Sequence, residues 1–488
     1  MHPVALLDEA QWQGRVFTGG WESTGADAPV TEPATGTELG RHGLADPAAI
    51  ARSAERAAQA QRDWAARPFH ERAAVLRRAG QLWEEHADEL RGWLVREAGS
   101  IPGKADFELH VAAQECYEAA ALPSRPLGEL LPSEAPRTSM VRRVPAGVVG
   151  VIAPFNAPLI LSIRSVAPAL ALGNAVVLKP DPRTAVCGGF ALAAVFAEAG
   201  LPEGVLHVLP GDAAAGAALV EDPHVRVISF TGSTAAGRAV GELAGRHLKR
   251  AHLELGGNSA LLVLGDADLD QCISAAAWGS FFHQGQICMT TGRHLVHESI
   301  YDEYVARLAE KADGLPVGNP ATEQVALGPI IDGTQRDKIH RLVESSVDSG
   351  ARLAAGGTYQ DLFYRPTVLA DAGPQVPAYA QEVFGPVAPV ARFGSDDEAV
   401  ALAAASEYGL SLGIVTPDVA KGLALAERIP TGIAHINDQT VNDEAHAPFG
   451  GVLASGTGSR FGGAAANVEA FTETRWVTLR GDVAGYPF

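Results

Sequence analysis

The run Gln284, Gly285, Gln286, Ile287, Cys288 places one cysteine between small and amide residues, in a sequence that has only four cysteines. Such a cysteine is a candidate nucleophile for covalent catalysis. An ordinary cysteine has a pKa of about 8.5, so only a few per cent of it is thiolate at neutral pH. Covalent chemistry at Cys288 therefore needs a nearby base, an oxyanion site and a bound electrophile.

Two residues far from Cys288 in the chain are candidates for the base and the oxyanion donor. Glu254 ends the apolar strand AHLEL directly before Gly256 and Gly257. Apolar flanks raise the pKa of a carboxyl group, which suits a general base, although a salt-bridged glutamate at a strand end is the simpler interpretation. Asn156 lies in the proline-bracketed run APFNAPL. Its amide either donates to an oxyanion, an interaction worth about 3 kcal/mol, or stabilises a turn.

Two further positions indicate a nucleotide site. In VRVISFTGSTAAGRAV, Gly232, Ser233 and Gly237 follow a buried strand and precede a helix, where backbone N–H groups and the helix dipole favour a phosphate. The glycine spacing differs from Gly-x-Gly-x-x-Gly, so a plain turn explains it equally well. Lys179 follows the strand NAVVL, at the strand end where ligands bind in open α/β sheets. It would either contact ribose hydroxyls or be a solvated surface charge.

Composition limits the class of protein. The chain has 488 residues, which suggests about three domains, and its 47% hydrophobic and 19% charged residues predict folding throughout. A net charge of -19 without a basic stripe argues against nucleic-acid binding. The cysteines lack metal-type pairing and suit a reducing compartment, so we expect a cytoplasmic protein without a metal site. The N-terminus has no secretory pattern, and prolines interrupt the uncharged run 144–163, so we expect no membrane span.

The pattern of elements predicts an α/β protein. From residue 139, short β-rich runs alternate with helical ones, and a second such series follows the Gly-Gly pair; this alternation indicates two domains with parallel, helix-covered sheets. Before residue 139, helices are expected near 47–65, opened by Asp46, and near 70–85, 87–98 and 105–122.

Two segments look like strands without local partners, from about 122 to 144 and from about 472 to 480. We expect them to pair in a small third unit. Because an unpaired edge strand is a liability, we also expect this unit to join the sheet of another subunit, in a homo-dimer or homo-tetramer.

The expected domain boundaries follow from these units. They are 1–122 with 145–256 for a cofactor-binding domain, 257–451 for a catalytic domain, and 123–144 with 470–488 for oligomerisation strands.

Six motifs occur in the order and spacing of one enzyme family: PFNAP, FTGST, LELGGN, GQICMTTGR, EVFGP and PFGG. From about residue 140 to 451 the chain resembles the NAD(P)-dependent aldehyde dehydrogenase superfamily. HQGQICMTTGRHLV and KPDPRT are most similar to its benzaldehyde and vanillin dehydrogenase branch. The resemblance implies a Rossmann-type cofactor domain, an α/β catalytic domain, a small β oligomerisation unit, and NAD(P)+-dependent oxidation of an aromatic aldehyde to its acid.

The resemblance also implies roles for single residues. Cys288 matches the nucleophile that forms a thiohemiacetal and then a thioester, Asn156 matches the oxyanion donor, and Glu254 matches the base that activates water. Glu382 matches the residue that holds the nicotinamide ribose, and Lys179 matches the adenosine-ribose contact. The other positions expected at the cofactor are Asp181, Arg183, Gly232, Ser233, Gly237, Leu255, Gly256 and Phe384.

One departure concerns the choice of cofactor. Three residues after Lys179, where NAD-preferring members often have glutamate, this chain has Pro182. Asp181 could accept from a ribose 2′-hydroxyl, whereas Arg183 could pair with a 2′-phosphate. NAD and NADP both stay open, and we favour NAD.

Arg164 lies two helical turns after Asn156, at a position that resembles part of the family's substrate tunnel. It would either contact a ring hydroxyl or form an ion pair on the helix surface. The apolar residues expected around an aromatic aldehyde are Phe155, Leu159, Trp278, Phe281, Phe282, Ile287, Met289 and Phe449.

Other functions stay open at this stage. Within the family, an aliphatic aldehyde or semialdehyde is the alternative substrate, and Glu254 makes a CoA-dependent acylating enzyme the weaker hypothesis. The same thiolate and oxyanion donor would serve a cofactor-independent cysteine hydrolase. A binding protein that has lost activity is the remaining alternative.

Overall fold

The computed structural model describes residues 5–487 and contains two seven-stranded sheets. In the first sheet, five parallel strands are extended at one edge by two antiparallel strands. The strand order is Arg250–Glu254, Val225–Thr231, Val148–Ile152, Ala175–Lys179, Leu206–Val208, Arg15–Phe17, Trp21–Ser23. The central strands are buried apolar runs, as expected for parallel strands covered by helices on both faces.

The second sheet is parallel except for its first strand. Its strand order is Arg352–Ala355, Thr367–Ala370, Val387–Phe393, Thr291–His297, Ser259–Val263, Ser411–Val415, Ile433–Ile436. The α/β fold predicted from the sequence is confirmed. The carboxyl ends of parallel strands in the first sheet supply loops of the site below, whereas Cys288 and Glu382 lie before strands of the second sheet.

The N-terminal helices follow their sequence signals. The Asp46 carboxylate accepts the Ala49 N–H at 2.7 Å, with Pro47 in the first turn, and Gly99 ends another helix with φ of 66°. These helices are Pro47–Ala66, Phe69–Glu85, Ala87–Ala98 and Pro102–Ala121. The other helices of at least eight residues are Pro158–Ala171, Ala191–Glu198, Ala213–Glu221, Thr234–Arg246, Leu269–Phe281, Tyr301–Gly314, Gly333–Asp348, Asp396–Ala404, Val419–Ala426 and Ala464–Phe471.

A separate three-stranded antiparallel sheet contains the two strands that lacked local partners. Thr472–Leu479 pairs with Thr138–Pro145, which also pairs with Gly128–Leu131. The predicted pairing is confirmed, whereas the domain boundaries and the oligomerisation role stay predictions. The uncharged run 144–163 contains the end of one strand, the strand Val148–Ile152, a loop and a helix start. Within residues 5–487, no helix has the length and hydrophobicity needed to cross a membrane.

Candidate active site

Cys288 follows a strained and well-anchored turn. His283 and Gln284 adopt φ values of 49° and 57°, a conformation that costs about 1–3 kcal/mol for a residue other than glycine. The Gln284 side-chain amide donates to the backbone carbonyls of Gly99 and Pro329 at 3.2 and 2.8 Å. These hydrogen bonds hold the turn in place and fix the direction from which Cys288 enters the site.

Two cavities meet at Cys288. Their volumes are about 480 and 320 Å³, and Cys288, Asn156 and Leu161 line both of them. Asn156 lies in the loop between the strand Val148–Ile152 of the first sheet and the helix Pro158–Ala171. The tertiary structure thus brings the predicted nucleophile and the predicted oxyanion donor to the junction of the two cavities.

The larger cavity has a largely aromatic and aliphatic wall. Trp278 and Phe282 stack there with ring centres 4.2 Å apart, and Phe107 contributes a third aromatic ring. The residues predicted at the substrate that line this cavity are Arg164, Trp278, Phe282, Ile287, Met289 and Phe449.

Three residues expected around the substrate lie elsewhere. Phe155 lines the smaller cavity, with its ring 4.3 Å from the Arg183 guanidinium carbon and 6.0 Å from the Phe384 ring. Leu159 and Phe281 are buried in the hydrophobic core and line neither cavity. Their helices turn these side chains away from Cys288, which an apolar sequence pattern does not reveal.

Arg164 is buried in the wall of the larger cavity and is 2% exposed. Its Nη2 forms an ion pair with Asp443, and its guanidinium carbon lies 4.4 Å from the centre of the Phe449 ring. The Nε and Nη1 atoms have no hydrogen-bond partner among residues 5–487. The ion pair is therefore not the expected one on the helix surface, and buried donors without partners favour a ligand that carries an acceptor.

The smaller cavity gathers most of the predicted cofactor contacts. Ser233 caps the helix Thr234–Arg246, whose N-terminus faces this cavity. Lys179 lines the cavity at the end of its strand; burial lowers its pKa, although Asp181 and Asp212 oppose the shift. The predicted residues that line it are Lys179, Asp181, Arg183, Gly232, Ser233, Leu255, Gly256, Glu382 and Phe384.

Gly237 does not line the smaller cavity but packs beside it. A β-carbon at this position would lie 2.1 Å from a methyl carbon of Leu255, which does line the cavity. The glycine therefore allows the helix to approach Leu255 closely instead of contacting a ligand.

Arg183 bridges two carboxylates at the smaller cavity. It makes two hydrogen bonds to Asp181, at 2.9 and 2.7 Å, and a third to Asp332 at 2.6 Å. Burial opposes its protonation, but the two carboxylates outweigh burial and raise its pKa. With most of its donors engaged and its face on Phe155, this guanidinium is poorly placed to receive a 2′-phosphate.

Glu382 faces the same cavity next to two glycines. Its Oε1 accepts the Gly257 N–H at 3.0 Å, and a β-carbon at Gly256 would lie 2.4 Å from its Oε2. Burial raises the pKa of Glu382 to about 7, and Lys338 opposes this shift. Glycine at position 256 leaves room for the carboxylate to reach the cavity, and Gly257 contributes only its backbone N–H.

Glu254 is buried beside the site without opening into it. It is 2% exposed, and neither cavity, as lined by the described residues, includes it. Its two carboxylate oxygens have no hydrogen-bond partner within residues 5–487. Burial raises its pKa well above the ordinary value, and Arg164 and Arg460 oppose this shift.

The charges around Cys288 are also unfavourable to a thiolate. Burial raises the pKa of the thiol to about 12, and Glu382 and Glu254 add to the shift while Arg164 opposes it. In this arrangement the thiol is protonated at neutral pH. Attack on a substrate therefore requires a proton acceptor at the moment of reaction.

Several site residues were missed from the sequence. Lys104, Glu108 and Asp443 line the larger cavity, and Gln335 and Lys338 line the smaller one. Lys104 and Glu108 are four residues apart, and this spacing predicts an ion pair on one face of a helix. No sequence pattern marks Asp443, Gln335 or Lys338, because only the tertiary structure brings their segments to the cavities.

The two cavities joined at a cysteine, on two largely parallel sheets, define the class of protein. Residues 21–477 match the aldehyde dehydrogenase family, and the chain belongs to that family.

Its similarity to individual proteins is high. The chain is 81% identical to the vanillin dehydrogenase of Amycolatopsis sp. over 486 residues, covering 99% of this chain and 100% of that protein. It is 50% identical to the NAD(+) benzaldehyde dehydrogenase of Pseudomonas putida, covering 98% of each. Among solved structures, the salicylaldehyde dehydrogenase of Pseudomonas putida G7 complexed with salicylaldehyde superimposes with a TM-score of 0.93 at 34% identity, over 97% of this chain and 99% of that one.

Proposed function

We propose that this protein oxidises aromatic aldehydes to carboxylic acids, with Cys288 as nucleophile and NAD as the preferred cofactor. The observation that carries the proposal is that Cys288 and Asn156 line both cavities, one with a largely aromatic and aliphatic wall and one rich in polar and charged groups. The similar proteins are named for vanillin, benzaldehyde and salicylaldehyde, which supports an aromatic substrate.

The charges of the larger cavity favour an uncharged aromatic ring over an acidic semialdehyde. Both cations in its wall are already paired, Arg164 with Asp443 and Lys104 with Glu108. A negatively charged substrate would bring an unbalanced charge into this wall. The unpartnered donors of Arg164 instead suit a neutral ring oxygen, so ring-hydroxylated or methoxylated aldehydes are the expected substrates.

The reaction begins with attack by the Cys288 sulfur on the aldehyde carbon. The thiol passes its proton to solvent water in the cavity, a sulfur–carbon bond forms as the carbonyl π bond breaks, and the carbonyl oxygen becomes an oxyanion. The Asn156 amide and the Cys288 backbone N–H would donate to this oxygen. Collapse of the thiohemiacetal expels a hydride and leaves a thioester on Cys288.

The smaller cavity fits a nicotinamide dinucleotide. Its donor set suits hydroxyls and phosphates: the buried ammonium of Lys179, the carboxylate of Glu382 and the helix N-terminus at Ser233. When bound, the cofactor supplies the hydride acceptor. Because Arg183 is held by Asp181 and Asp332, we infer a preference for NAD over NADP, and an NAD(+) enzyme among the relatives supports it.

Hydrolysis of the thioester completes the cycle. We assign Glu254 as the base that takes a proton from water, since it is the carboxyl group at which the family resemblance places this role; its raised pKa makes it a stronger base once it is ionised. Water then adds to the thioester carbon, the sulfur leaves as a thiol, and the acid is released. Glu254 has to move from its buried position for this step.

We also propose a homo-dimer or homo-tetramer built through the three-stranded sheet. Leu130 and Trp476 on this sheet are 77% and 63% exposed, so the sheet presents large apolar side chains to a partner. Light scattering after size exclusion would determine the number of subunits. A monomer at micromolar concentration would contradict this proposal.

The experiment that tests the function is reduction of NAD+ or NADP+, followed by absorbance, with vanillin, benzaldehyde, hexanal and succinate semialdehyde. We expect the two aromatic aldehydes to react fastest and NAD+ to be preferred. Cys288→Ala should show no turnover. Absence of NAD(P)H formation with every aldehyde, or an unchanged steady rate in Cys288→Ala, would overturn the proposal. Turnover without any nucleotide would favour a cysteine hydrolase.

A further inference from the structure

A buried ion pair within one helix lies against the loop that carries Asn156. Lys104 and Glu108 are one helical turn apart in the helix Pro102–Ala121, and their side chains are 3% and 0% exposed. Both line the larger cavity, although neither contacts Cys288 through a hydrogen bond among the described residues. An ion pair so completely removed from water needs further hydrogen bonds to be stable.

Lys104 makes one of those hydrogen bonds to the oxyanion loop itself. Its Nζ donates to the backbone carbonyl of Asn156 at 2.8 Å and to Ser100 Oγ at 3.2 Å, besides its contact with Glu108. All three acceptors of the ammonium group are therefore buried protein atoms. The Asn156 backbone is tied to a residue 52 positions earlier in the chain.

Glu108 holds the other end of the same loop. The helix Pro158–Ala171 begins after Ala157, which provides no side-chain cap. Glu108 Oε2 accepts the N–H groups of Leu159 and Ile160 at 3.0 and 3.4 Å, so a carboxylate from another helix serves as the missing cap.

The pair thus fixes both sides of a very short segment. Lys104 holds Asn156 and Glu108 holds residues 159 and 160, so only Ala157 and Pro158 lie between the two attachment points. We infer that Lys104 and Glu108 are positioning residues, which set the angle at which the Asn156 amide meets the developing oxyanion. This inference rests on the proposed function, since it assigns the pair to the oxyanion step of that reaction.

The test uses the double variant Lys104→Met/Glu108→Gln. It removes both charges together, and the glutamine can still accept from the helix N-terminus, so no unpaired buried charge is created. We expect the single-turnover rate of NADH formation from vanillin to fall about 10- to 100-fold, because a displaced oxyanion donor loses much of its effect. The dissociation constant for NAD+ and the thermal midpoint should change little.

A double-mutant cycle with Asn156→Ala separates positioning from a general structural role. If the pair acts through Asn156, the combined variant should react less than threefold more slowly than Asn156→Ala alone. Arg72→Met is the matched control, because Arg72 is a buried cation that donates to Ala171 at the opposite end of the same helix. Its rate should stay within twofold of the unmodified protein.

The possible failures are distinguishable. If the unmodified protein is active, two results would overturn the positioning role alone. Either the double variant keeps the full rate, or its rate loss multiplies with that of Asn156→Ala. No NAD(P)H formation by the unmodified protein with any aldehyde would overturn the proposed function, and the positioning role with it. If the double variant fails to fold, Glu108→Asp, which keeps both charges but shortens the carboxylate by one methylene, carries the same cycle with the same two outcomes.

Discussion

The backbone of Gly257 lies directly against that of Cys288. A β-carbon at position 257 would lie 2.3 Å from the Cys288 carbonyl oxygen, and the Gly257 N–H donates to Glu382. One glycine therefore contacts both the loop that carries the thiol and the carboxylate that lines the smaller cavity. Its role is close approach of backbone, since its φ is not in the left-handed region.

Gly257→Ala should accordingly displace the cysteine loop. Because the obstructing atom belongs to the backbone, we expect a loss of about 1–3 kcal/mol in stability and a fall of roughly 100-fold in turnover. Steady-state kinetics and denaturant unfolding measure the two effects. Gly245→Ala is the control, because a β-carbon there has no atom within 4 Å. Full activity in Gly257→Ala would contradict the close contact.

The raised pKa of Cys288 predicts how its alkylation depends on pH. Since only the thiolate reacts and the pKa is raised to about 12, the rate with iodoacetamide in the absence of cofactor should rise about tenfold per pH unit between pH 7 and 10. The other cysteines, Cys116, Cys187 and Cys272, are buried, so Cys288→Ala should show almost no labelling. A plateau in the rate below pH 9 would mean that the thiol is less shielded than the structure indicates.

Arg164 predicts discrimination between substituted and unsubstituted rings. The variant Arg164→Met/Asp443→Asn removes the guanidinium without leaving a buried carboxylate unpaired. We expect kcat/KM for hydroxylated aldehydes such as vanillin to fall about 10- to 100-fold, as loss of a hydrogen bond to a charged group predicts. Benzaldehyde, which has no ring oxygen, should change less than threefold and is the internal control. Equal losses for both substrates would remove Arg164 from ring recognition.

Glu115 predicts a pH dependence of stability. Burial raises its pKa to about 8, and Arg164 opposes the shift. Because this pKa is raised above the ordinary unfolded value of about 4.3, the folded protein binds the proton more tightly. The stabilisation that the folded protein gains from this proton is complete below about pH 4 and is lost as the pH rises through about 8.

Glu115→Gln should therefore flatten the stability profile. Between pH 6 and 8 the native protein should lose about 2 kcal/mol more than this variant, at roughly 1.4 kcal/mol per pH unit. Denaturant unfolding at the two pH values measures the difference. Glu118→Gln, on the same helix but half-buried, should behave like the native protein. Parallel profiles for the native protein and Glu115→Gln would show that Glu115 is ionised in the folded state.

The ion pairs of Arg183 predict the choice of cofactor. If Asp181 and Asp332 keep this guanidinium from a 2′-phosphate, then Asp332→Asn should raise kcat/KM with NADP+ relative to NAD+ about tenfold, because one competing charge is removed. Initial rates with the two cofactors at fixed vanillin measure the ratio. Asp337→Asn is the control, since Asp337 pairs with Arg336 instead. An unchanged ratio in Asp332→Asn would show that the bridge does not set the preference.

Local signals in the sequence determined most of the elements and the candidate chemistry. Asp46 with Pro47 opens a helix and Gly99 ends one, because these signals depend on neighbouring residues alone. The alternation of strands and helices predicts parallel sheets, because a parallel strand pair needs a crossover connection. Cys288 and Asn156 were recognised from their motifs, and the structure brings them together at one junction.

Only the tertiary structure decided what surrounds those residues. Phe155 lies in the smaller cavity and Leu159 in the core, although both lie close to Asn156 in sequence. Asp443 meets Arg164 from a distant loop, and Lys104 reaches Asn156 from another helix. Burial and pairing of charges are properties of the packed molecule, since each depends on segments that the sequence separates and only folding brings into contact.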